Sequence, residues 1–293
     1  MAQERKLAVS AINVRITDPA KREYDALFRS ILRQRFPVKV YNNDYLILTA
    51  FGKFESKRMS WLGVVGRFTD IPDDADWLDT STLKEADEDD KSRIVIPDNL
   101  KPNYEAFYCG LFPKEHIFVF ETFSESERLS PRHVLKWLRA ATKTKRSLER
   151  FGPVEVDLIP DYDILEKILG SDTIRQLEIV IRKPNPDQYT AEQFKAAENR
   201  LAELNAREEL LAYKAEEDEY LELNEQTEAL AKVGAENGKV RARLREDGAM
   251  KTVSTDDRPI EEHEMFDPDD ISPTVKFASI ALKLLGRIKT NRG

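Results

Sequence analysis

The basic side chains between residues 130 and 151 recur at the spacing of one helical face. The series consists of Arg132, Lys136, Arg139, Lys143, Arg146 and Arg150, and Lys145 adds a further cation. Steps of three and four residues place side chains on one stripe of an α-helix. Glu149 is the only acid in this segment, although like charges at these spacings repel one another. The stripe is therefore typical of a surface that binds an anion.

The phosphates of a nucleic acid are the anions that such a stripe can follow. Each phosphate that is neutralised releases counterions, and this kind of binding needs no contact with base edges. We expect residues 130–151 to form one helix that binds duplex DNA whatever its sequence. Two other interpretations stay open: a solvated face, or pairing within the fold with the acidic segment 190–233. Trp137 beside the stripe could stack on a base, although a tryptophan there is typical of partly buried core.

A run of acids near residue 262 could bind a metal ion for hydrolysis. The run contains Glu261, Glu262, His263 and Glu264, followed by Asp267, Asp269 and Asp270. Because alternate residues of a strand point to opposite faces, only Glu262 with Glu264, or Glu261 with His263, can converge. We therefore interpret the run as a charged strand edge, which also blocks unwanted strand pairing.

A metal-dependent nuclease is the enzymatic alternative. Asp157, Asp161 and Glu178 supply acids for it, but the site also needs a lysine two residues after the acid on the strand. Val180 stands at that position. The sequence therefore predicts no catalytic residue, no metal ligand and no cofactor, and the nuclease stays an alternative.

The sequence contains few residues that could form other kinds of catalytic site. Cys109 is the one cysteine, so no intramolecular disulfide can form, and its aromatic strand is typical of a small core residue. Three histidines offer little for a histidine-rich metal site. The phosphate-loop, dinucleotide and nucleophile-elbow patterns are missing from the sequence.

The negative charge is concentrated in two segments. Residues 72–98 carry a net −7 and residues 187–233 a net −8, whereas the whole chain of 293 residues carries −8, which leaves the rest at +7. The acidic total therefore conceals a basic remainder, and an anionic partner is not excluded. No apolar run reaches the roughly 18 residues of a membrane span, and no signal peptide is recognisable. We expect a cytoplasmic protein without a membrane partner.

The elements that must position these residues alternate between strands and helices. Strands are predicted at 7–16, at 38–54 as two strands around an Asn42-Asn43-Asp44 turn, at 60–71, at 104–123 as a hairpin, at 154–160 and at 177–184. Helices are predicted from Asp18-Pro19 to Pro37, at 130–151, at 163–170, at 190–233 as one long acidic helix or a helical hairpin, and from Ser272-Pro273 onward. The fold class is α+β, with a mixed or antiparallel sheet, flanking helices and the long acidic helix.

The C-terminal third differs in composition from the rest of the chain. A composition shift at 184–190 predicts a domain 1–186, with the sheet and the basic helix, and a domain 187–293. The second domain is predicted to contain the long helix, a polar antiparallel meander after residue 238 and the last helix. The apolar positions of the long helix, which need cover, predict a homodimer or pairing with another chain. These positions are Phe194, Leu201, Leu204, Leu211 and Leu223.

Three local runs resemble a bacterial family known as domain of unknown function 4747. The runs are IVIPDNLKPN at 94–103, FPKEH at 112–116 and LEIVIRKPNPD at 177–187, and the resemblance covers most of residues 7–190. A shorter stretch, residues 154–186, resembles RexA, the exclusion protein of phage lambda. That resemblance implies a sequence-independent DNA-binding protein, often dimeric, that acts against phage.

The predicted function is therefore non-enzymatic, sequence-independent nucleic-acid binding in bacterial antiphage defence. The expected partners are duplex DNA and either a second copy or a second defence protein. The alternatives are the metal-dependent nuclease and a protein-interaction subunit that uses its acidic helix.

Overall fold

Two antiparallel sheets form the framework of the chain. The computed structural model describes residues 4–54, 59–72, 74–124, 127–183, 192–246 and 248–292. The strands in this part are β1 (Arg5–Ile16), β2 (Val38–Tyr41), β3 (Asp44–Lys53), β4 (Trp61–Thr69), β5 (Leu78–Asp79), β6 (Lys84–Glu85), β7 (Glu105–Phe112), β8 (Ile117–Ser124), β9 (Glu127–Arg128), β10 (Val154–Leu158), β11 (Ile174–Arg182), β12 (Glu208–Lys214), β13 (Gly238–Glu246), β14 (Ala249–Ser254) and β15 (Glu261–Phe266). The helices are α1 (Tyr24–Gln34), α2 (Glu88–Ser92), α3 (Pro131–Thr142), α4 (Lys145–Phe151), α5 (Tyr162–Leu169), α6 (Glu192–Glu203), α7 (Glu225–Glu236) and α8 (Pro273–Arg292). The predicted α+β class is confirmed.

The first sheet is built around β1, which is buried along almost its whole length. Its strands run in the order β10-β1-β8-β7-β4-β3-β2, with β15 also paired to β1 and β9 to β8. One face packs under α1 and α3 through side chains such as Phe28, Phe118 and Trp137. The other face packs under α8 through Phe277 and Leu284. The predicted strand at 7–16, the Asn42-Asn43 turn and the hairpin at 104–123 are confirmed.

The predicted basic helix 130–151 begins where expected but is not continuous. Ser130 is the N-cap and Pro131 the first residue of α3, which ends at Thr142. Thr144 then adopts an extended conformation, and its side-chain oxygen accepts a hydrogen bond from the Ser147 amide at 3.3 Å, so that it caps α4. A threonine that caps a new helix competes with continuation of the old one. The prediction of a single helix was therefore wrong at residues 143–144.

The predicted long acidic helix is wrong as well. Within the described residues of this region, α6 ends near Asn205, which takes a left-handed φ of 49° typical of a helix end. The chain then forms β12, an edge strand paired along β11, and only afterwards α7. Residues 184–191 lie outside the described part. Pairing with β11, which is a tertiary effect, overrides the helical composition of the segment.

The second sheet has the strand order β12-β11-β13-β14. Its apolar face is covered by α5, α6 and α7 through residues such as Ile168, Phe194, Leu201 and Val233. The hairpin of β13 and β14 confirms the first part of the predicted meander. However, β15 pairs with β1 of the first sheet instead of continuing the meander, so that part of the prediction was wrong.

The chain connects the two sheets more than once. The predicted domain boundary at 184–190 lies outside the described residues. On either side of it, β11 and β12 pair in one sheet, and β15 and α8 later return to the first sheet. The acidic segment 72–98 contains the short β5–β6 hairpin and α2. No helix among the described residues is long and apolar enough to cross a membrane.

Candidate functional site

The predicted basic residues divide into two groups because the helix is interrupted. Arg132, Lys136 and Arg139 lie on α3, and Lys143 is its C-terminal cap. The second group, on α4, consists of Lys145, Arg146 and Arg150. The structure therefore does not bring the seven cations together on one stripe.

The α3 cations make specific contacts at the edges of both sheets. Arg132 pairs with Asp257 at 3.0 Å, and Lys136 donates to the backbone carbonyl of Val40 at 2.9 Å. Arg139 donates through Nε to the Val156 carbonyl at 2.9 Å, which satisfies an acceptor on the outer edge of β10. These three residues do not pair with the acidic segment 190–233, which was one of the alternatives. Their partners come from β2, β10 and the turn after β14.

Lys143 and the α4 cations make fewer and longer polar contacts than the other α3 cations. Arg150 lies 3.4 Å from a Glu23 carboxylate oxygen, and Lys145 lies 4.0 Å from Glu149 on the same helix. For Lys143 and Arg146 the structure gives no side-chain hydrogen bond or ion pair among the described residues. Trp137 is fully buried against Phe118, so its interpretation as a core residue is confirmed and the alternative, stacking on a base, is wrong.

A second row of cations, which the sequence analysis missed, lies on β13. Its apolar residues Val240, Ala242 and Leu244 are buried in the core of the second sheet. The intervening residues Lys239, Arg241, Arg243 and Arg245 project from the opposite face, and the three arginines are exposed. The strict alternation in GKVRARLRE is the signal that could have found them.

The β13 arginines have room for a ligand. On β14, Ser254 lies opposite Arg241 and Thr252 lies opposite Arg243. Hydroxyl side chains therefore lie beside the guanidinium groups. For Arg241 and Arg243 the structure shows no ion pair among the described residues. Both remain available for an external anion.

The two rows of cations face one another across an open groove. An open cavity of about 650 Å³ lies between α3 and the β13–β14 hairpin. It is lined by Arg132, Leu135, Lys136, Arg139, Leu158, Arg241, Thr252, Ser254, Asp256 and Asp257. A second cavity of about 440 Å³ continues on the other side of Arg139, between the end of α3 and the ends of β10 and β11. It is lined by Arg139, Lys143, Val154, Glu155, Val156, Arg182, Arg207 and Glu208. We call these two cavities together the basic groove.

A buried ionic cluster sets the positions of the two walls of the basic groove. The side chain of Asp157 on β10 is only 3% exposed and contacts Arg15, Arg139 and Arg182. Arg15 also donates to the Asn237 side-chain oxygen at 3.1 Å, just after α7. The cluster thus joins the first sheet, α3 and the second sheet at one point.

Burial and neighbouring charges shift the pKa values of two acids, Asp157 in the cluster and Asp256 in the groove. Burial by itself raises the pKa of Asp157, but Arg15, Arg182 and Arg139 outweigh it, and the net shift is downward. Burial raises the pKa of Asp256 in the groove, although Lys239 and two arginines act in the opposite direction. Asp157 is therefore a fixed counter-ion, whereas Asp256 carries a charge that the fold disfavours.

The acids considered for metal binding are engaged by cations. Glu262 on β15 contacts Lys283 at 2.7 Å and Arg287 at 2.8 Å, and Glu264 contacts Lys276 at 2.5 Å. These ion pairs join β15 to α8 and neutralise these two acids of β15. No group of three or more metal-binding side chains with suitable placement occurs in the described part of the chain.

The acids of the nuclease alternative do not converge on an open site. Asp157 is occupied by three arginines, and Glu178 accepts a hydrogen bond from Gln176 at 3.0 Å. Cys109 is buried, as predicted for a core residue, and burial together with Glu121 raises the pKa of its thiol. Neither these acids nor Cys109 provides an activated nucleophile or a general base.

The comparison with protein families decides the family of the chain. The family model described as Domain of unknown function (DUF4747) matches residues 5–282. The chain belongs to the DUF4747 family. The resemblance predicted from the three local runs is confirmed. Because the DUF4747 match includes both α3 and β13, both walls of the basic groove belong to the family domain.

A comparison with curated proteins finds no match. The resemblance of residues 154–186 to RexA therefore stays a prediction from the sequence.

The apolar residues that predicted a dimer are mostly covered within this DUF4747 protein itself. Phe194 and Leu201 are buried within the fold, and Leu211 and Leu223 pack against the same core. Leu204, in contrast, is 71% exposed. Four of these five positions are therefore covered without a second chain.

Proposed function

We propose that this protein binds nucleic acid through its phosphates, without reading the base sequence, in the basic groove. The observation that carries the proposal is that Arg241 of β13 and three cations of α3 line the same open cavity. Cations on two opposing elements can contact phosphates on both sides of a backbone, which one helical stripe cannot do. Guanidinium groups suit this role because they offer a planar fork of donors to a phosphate.

The charge of the groove favours this ligand over a neutral one. The larger cavity is lined by four cations and two acids, and one of the acids, Asp257, is already paired with Arg132. The wall of β13 continues the positive charge beyond the cavity through Arg243 and Arg245. A polyanion gains from such an extended surface through release of counterions, whereas a small neutral molecule does not.

The test is a salt titration of binding by fluorescence anisotropy, with labelled duplex DNA of random sequence and single-stranded DNA of the same length. The test variant is Arg241→Gln with Arg243→Gln. On duplex DNA we expect it to reduce the slope of log affinity against log salt by about 1.8, since each lost phosphate contact contributes about 0.9. The effect should be similar on unrelated sequences, because phosphates carry no base information.

A matched control removes the same charge from the other side of the second sheet. Lys195 and Lys232 are exposed on α6 and α7, the helices that cover the opposite, apolar face. The variant Lys195→Gln with Lys232→Gln should keep the wild-type slope. Equal losses in both double variants, or no binding by the wild-type protein at low salt, would contradict the proposal.

The biological setting that we propose is defence against phage, and the resemblance to RexA is its support. Cells that express the wild-type chain should reduce phage plating efficiency, and cells that express the Arg241/Arg243 double variant should not. Equal protection by the wild-type chain and the double variant would show that defence does not depend on nucleic-acid binding in the groove.

A further inference from the structure

An exposed aromatic pair lies beside the basic groove. Tyr41, the last residue of β2, is 57% exposed, and its ring stacks on the His133 imidazole of α3. The ring centroids are 5.6 Å apart and the planes differ by 17°. Tyr41 precedes the tight Asn42-Asn43 turn, where Asn42 has a left-handed φ of 41°, so the ring is held at the tip of a hairpin. One ring face therefore rests on the protein while the ring itself stays open to solvent.

The cations of the groove reach this aromatic pair. Lys136, one helical turn after His133, lines the groove and donates to the carbonyl of Val40, the neighbour of Tyr41. Lys39, two residues before Tyr41 on β2, is also exposed. A phosphate backbone that leaves the groove across Lys136 thus passes beside the Tyr41 ring.

We infer that Tyr41 and His133 form a stacking platform for an unpaired base, so that the nucleic acid held in the groove is single-stranded at this point. The inference rests on the proposed function. Every base has a flat face that stacks on an aromatic ring, so such a platform suits binding that ignores sequence. In a duplex the bases already stack on one another, and a ring at the edge of the groove has no base to contact.

The state of His133 fits this role. Burial lowers the pKa of His133, Lys136 and Arg67 act in the same direction, and Asp44 opposes them. A neutral imidazole packs under the Tyr41 ring without placing another charge there. Charge for the phosphates comes instead from Lys136 and Lys39.

The experiment compares Tyr41→Ala, Tyr41→Phe and the wild-type protein. The probe is a labelled oligothymidylate about 20 nucleotides long, alongside an abasic strand and a duplex of the same length. Tyr41→Ala should weaken binding of oligothymidylate about ten-fold, because stacking of one base is lost. Tyr41→Phe keeps a ring and should retain nearly the wild-type affinity. Neither variant should change binding of the abasic strand or the duplex, and the salt slope should stay the same.

The matched control is Tyr104→Ala, which removes a tyrosine of similar exposure, 56%, outside the basic groove. It should leave every affinity unchanged. Wild-type affinity of Tyr41→Ala for oligothymidylate would overturn the platform but leave the groove intact, because the salt slope and the Arg241/Arg243 variant test the groove separately. An equal loss on the abasic strand would also overturn it. Absence of binding by the wild-type protein to any probe would overturn both proposals.

Discussion

Arg139 and Arg182 donate hydrogen bonds to the same oxygen, Oδ1, of Asp157. Arg139 belongs to α3, which covers the first sheet, and Arg182 ends β11 of the second sheet. One carboxylate therefore joins the two layers where they form the walls of the basic groove. Phosphate contacts on opposing walls require a fixed spacing, so the proposed binding surface depends on this ionic cluster.

Replacing Asp157 with asparagine should destabilise the protein strongly. The substitution removes the carboxylate that three guanidinium groups share. Arg182 keeps Glu208 at 3.5 Å, but Arg15 is only 2% exposed and pairs with Asp157. Breaking a buried ion pair by removing one partner costs about 3–5 kcal/mol. Chemical denaturation should show this loss in the free energy of unfolding. Glu155→Gln is the control on the same strand: its partner Arg207 is largely exposed, so the loss should be about 1 kcal/mol or less. Equal losses would contradict the special role of Asp157.

The contribution of Asp157 should also depend on pH. Its pKa is lowered in the folded state, so its stabilisation is fully present above the ordinary aspartate pKa of about 3.9. The stabilisation is lost as pH falls through the lowered folded pKa. The difference in unfolding free energy between wild type and Asp157→Asn should therefore be constant near neutral pH and shrink below about pH 4. Urea titrations over this range measure it; a difference that does not change with pH would show that Asp157 acts by shape alone.

The sequence predicted the strands of the first sheet better than the location of the site. Alternation and turn residues act locally, which is why β1 and the β7–β8 hairpin could be predicted. The role of Arg139 could not be predicted, because its partners Val156 and Asp157 come close only when β10 joins the edge of the first sheet. The prediction of a long helix at 190–233 failed for a similar reason, because pairing with β11 determines the structure of β12. The arginines of β13 were visible in the alternation of that strand.

Asp256→Asn should strengthen nucleic-acid binding without loss of stability. Burial raises the pKa of Asp256, so its charged form costs stability at neutral pH and that cost disappears as pH falls. Removing one negative charge about 4 Å from a phosphate contributes about 1 kcal/mol at high dielectric, which corresponds to about five-fold tighter binding. Anisotropy at neutral pH measures the affinity, and thermal unfolding should show an unchanged or higher midpoint. Weaker binding by the variant would mean that Asp256 faces the ligand as a hydrogen-bond acceptor.

Gly238→Ala should destabilise the second sheet. Gly238 begins β13 opposite Ile181, and a Cβ there would lie 1.9 Å from the Val180 carbonyl oxygen. Backbone must move to remove this overlap, and such overpacking costs about 1–3 kcal/mol or more. Gly286→Ala on α8 is the control, because a Cβ there meets no neighbour within 4 Å and alanine favours the helix. Thermal unfolding should show a lower midpoint for the first variant only; unchanged midpoints for both would show that β13 adjusts freely.

The interruption between α3 and α4 places only the first group of cations in the basic groove. Arg132, Lys136, Arg139 and Lys143 line the basic groove, whereas α4 contributes none of the described residues that line it. We therefore expect Lys136→Gln with Lys143→Gln to reduce the salt slope on duplex DNA by about 1.8.

The double variant Lys145→Gln with Arg146→Gln removes the same charge from α4 and should leave the slope unchanged. Both pairs lie on exposed positions, so thermal unfolding should stay near the wild-type midpoint in each. A continuous helix would place all these cations on one stripe and make the two double variants equivalent. Equal reductions in slope would therefore favour the stripe over the groove, because only the groove distinguishes Lys143 from the residues two and three positions beyond it.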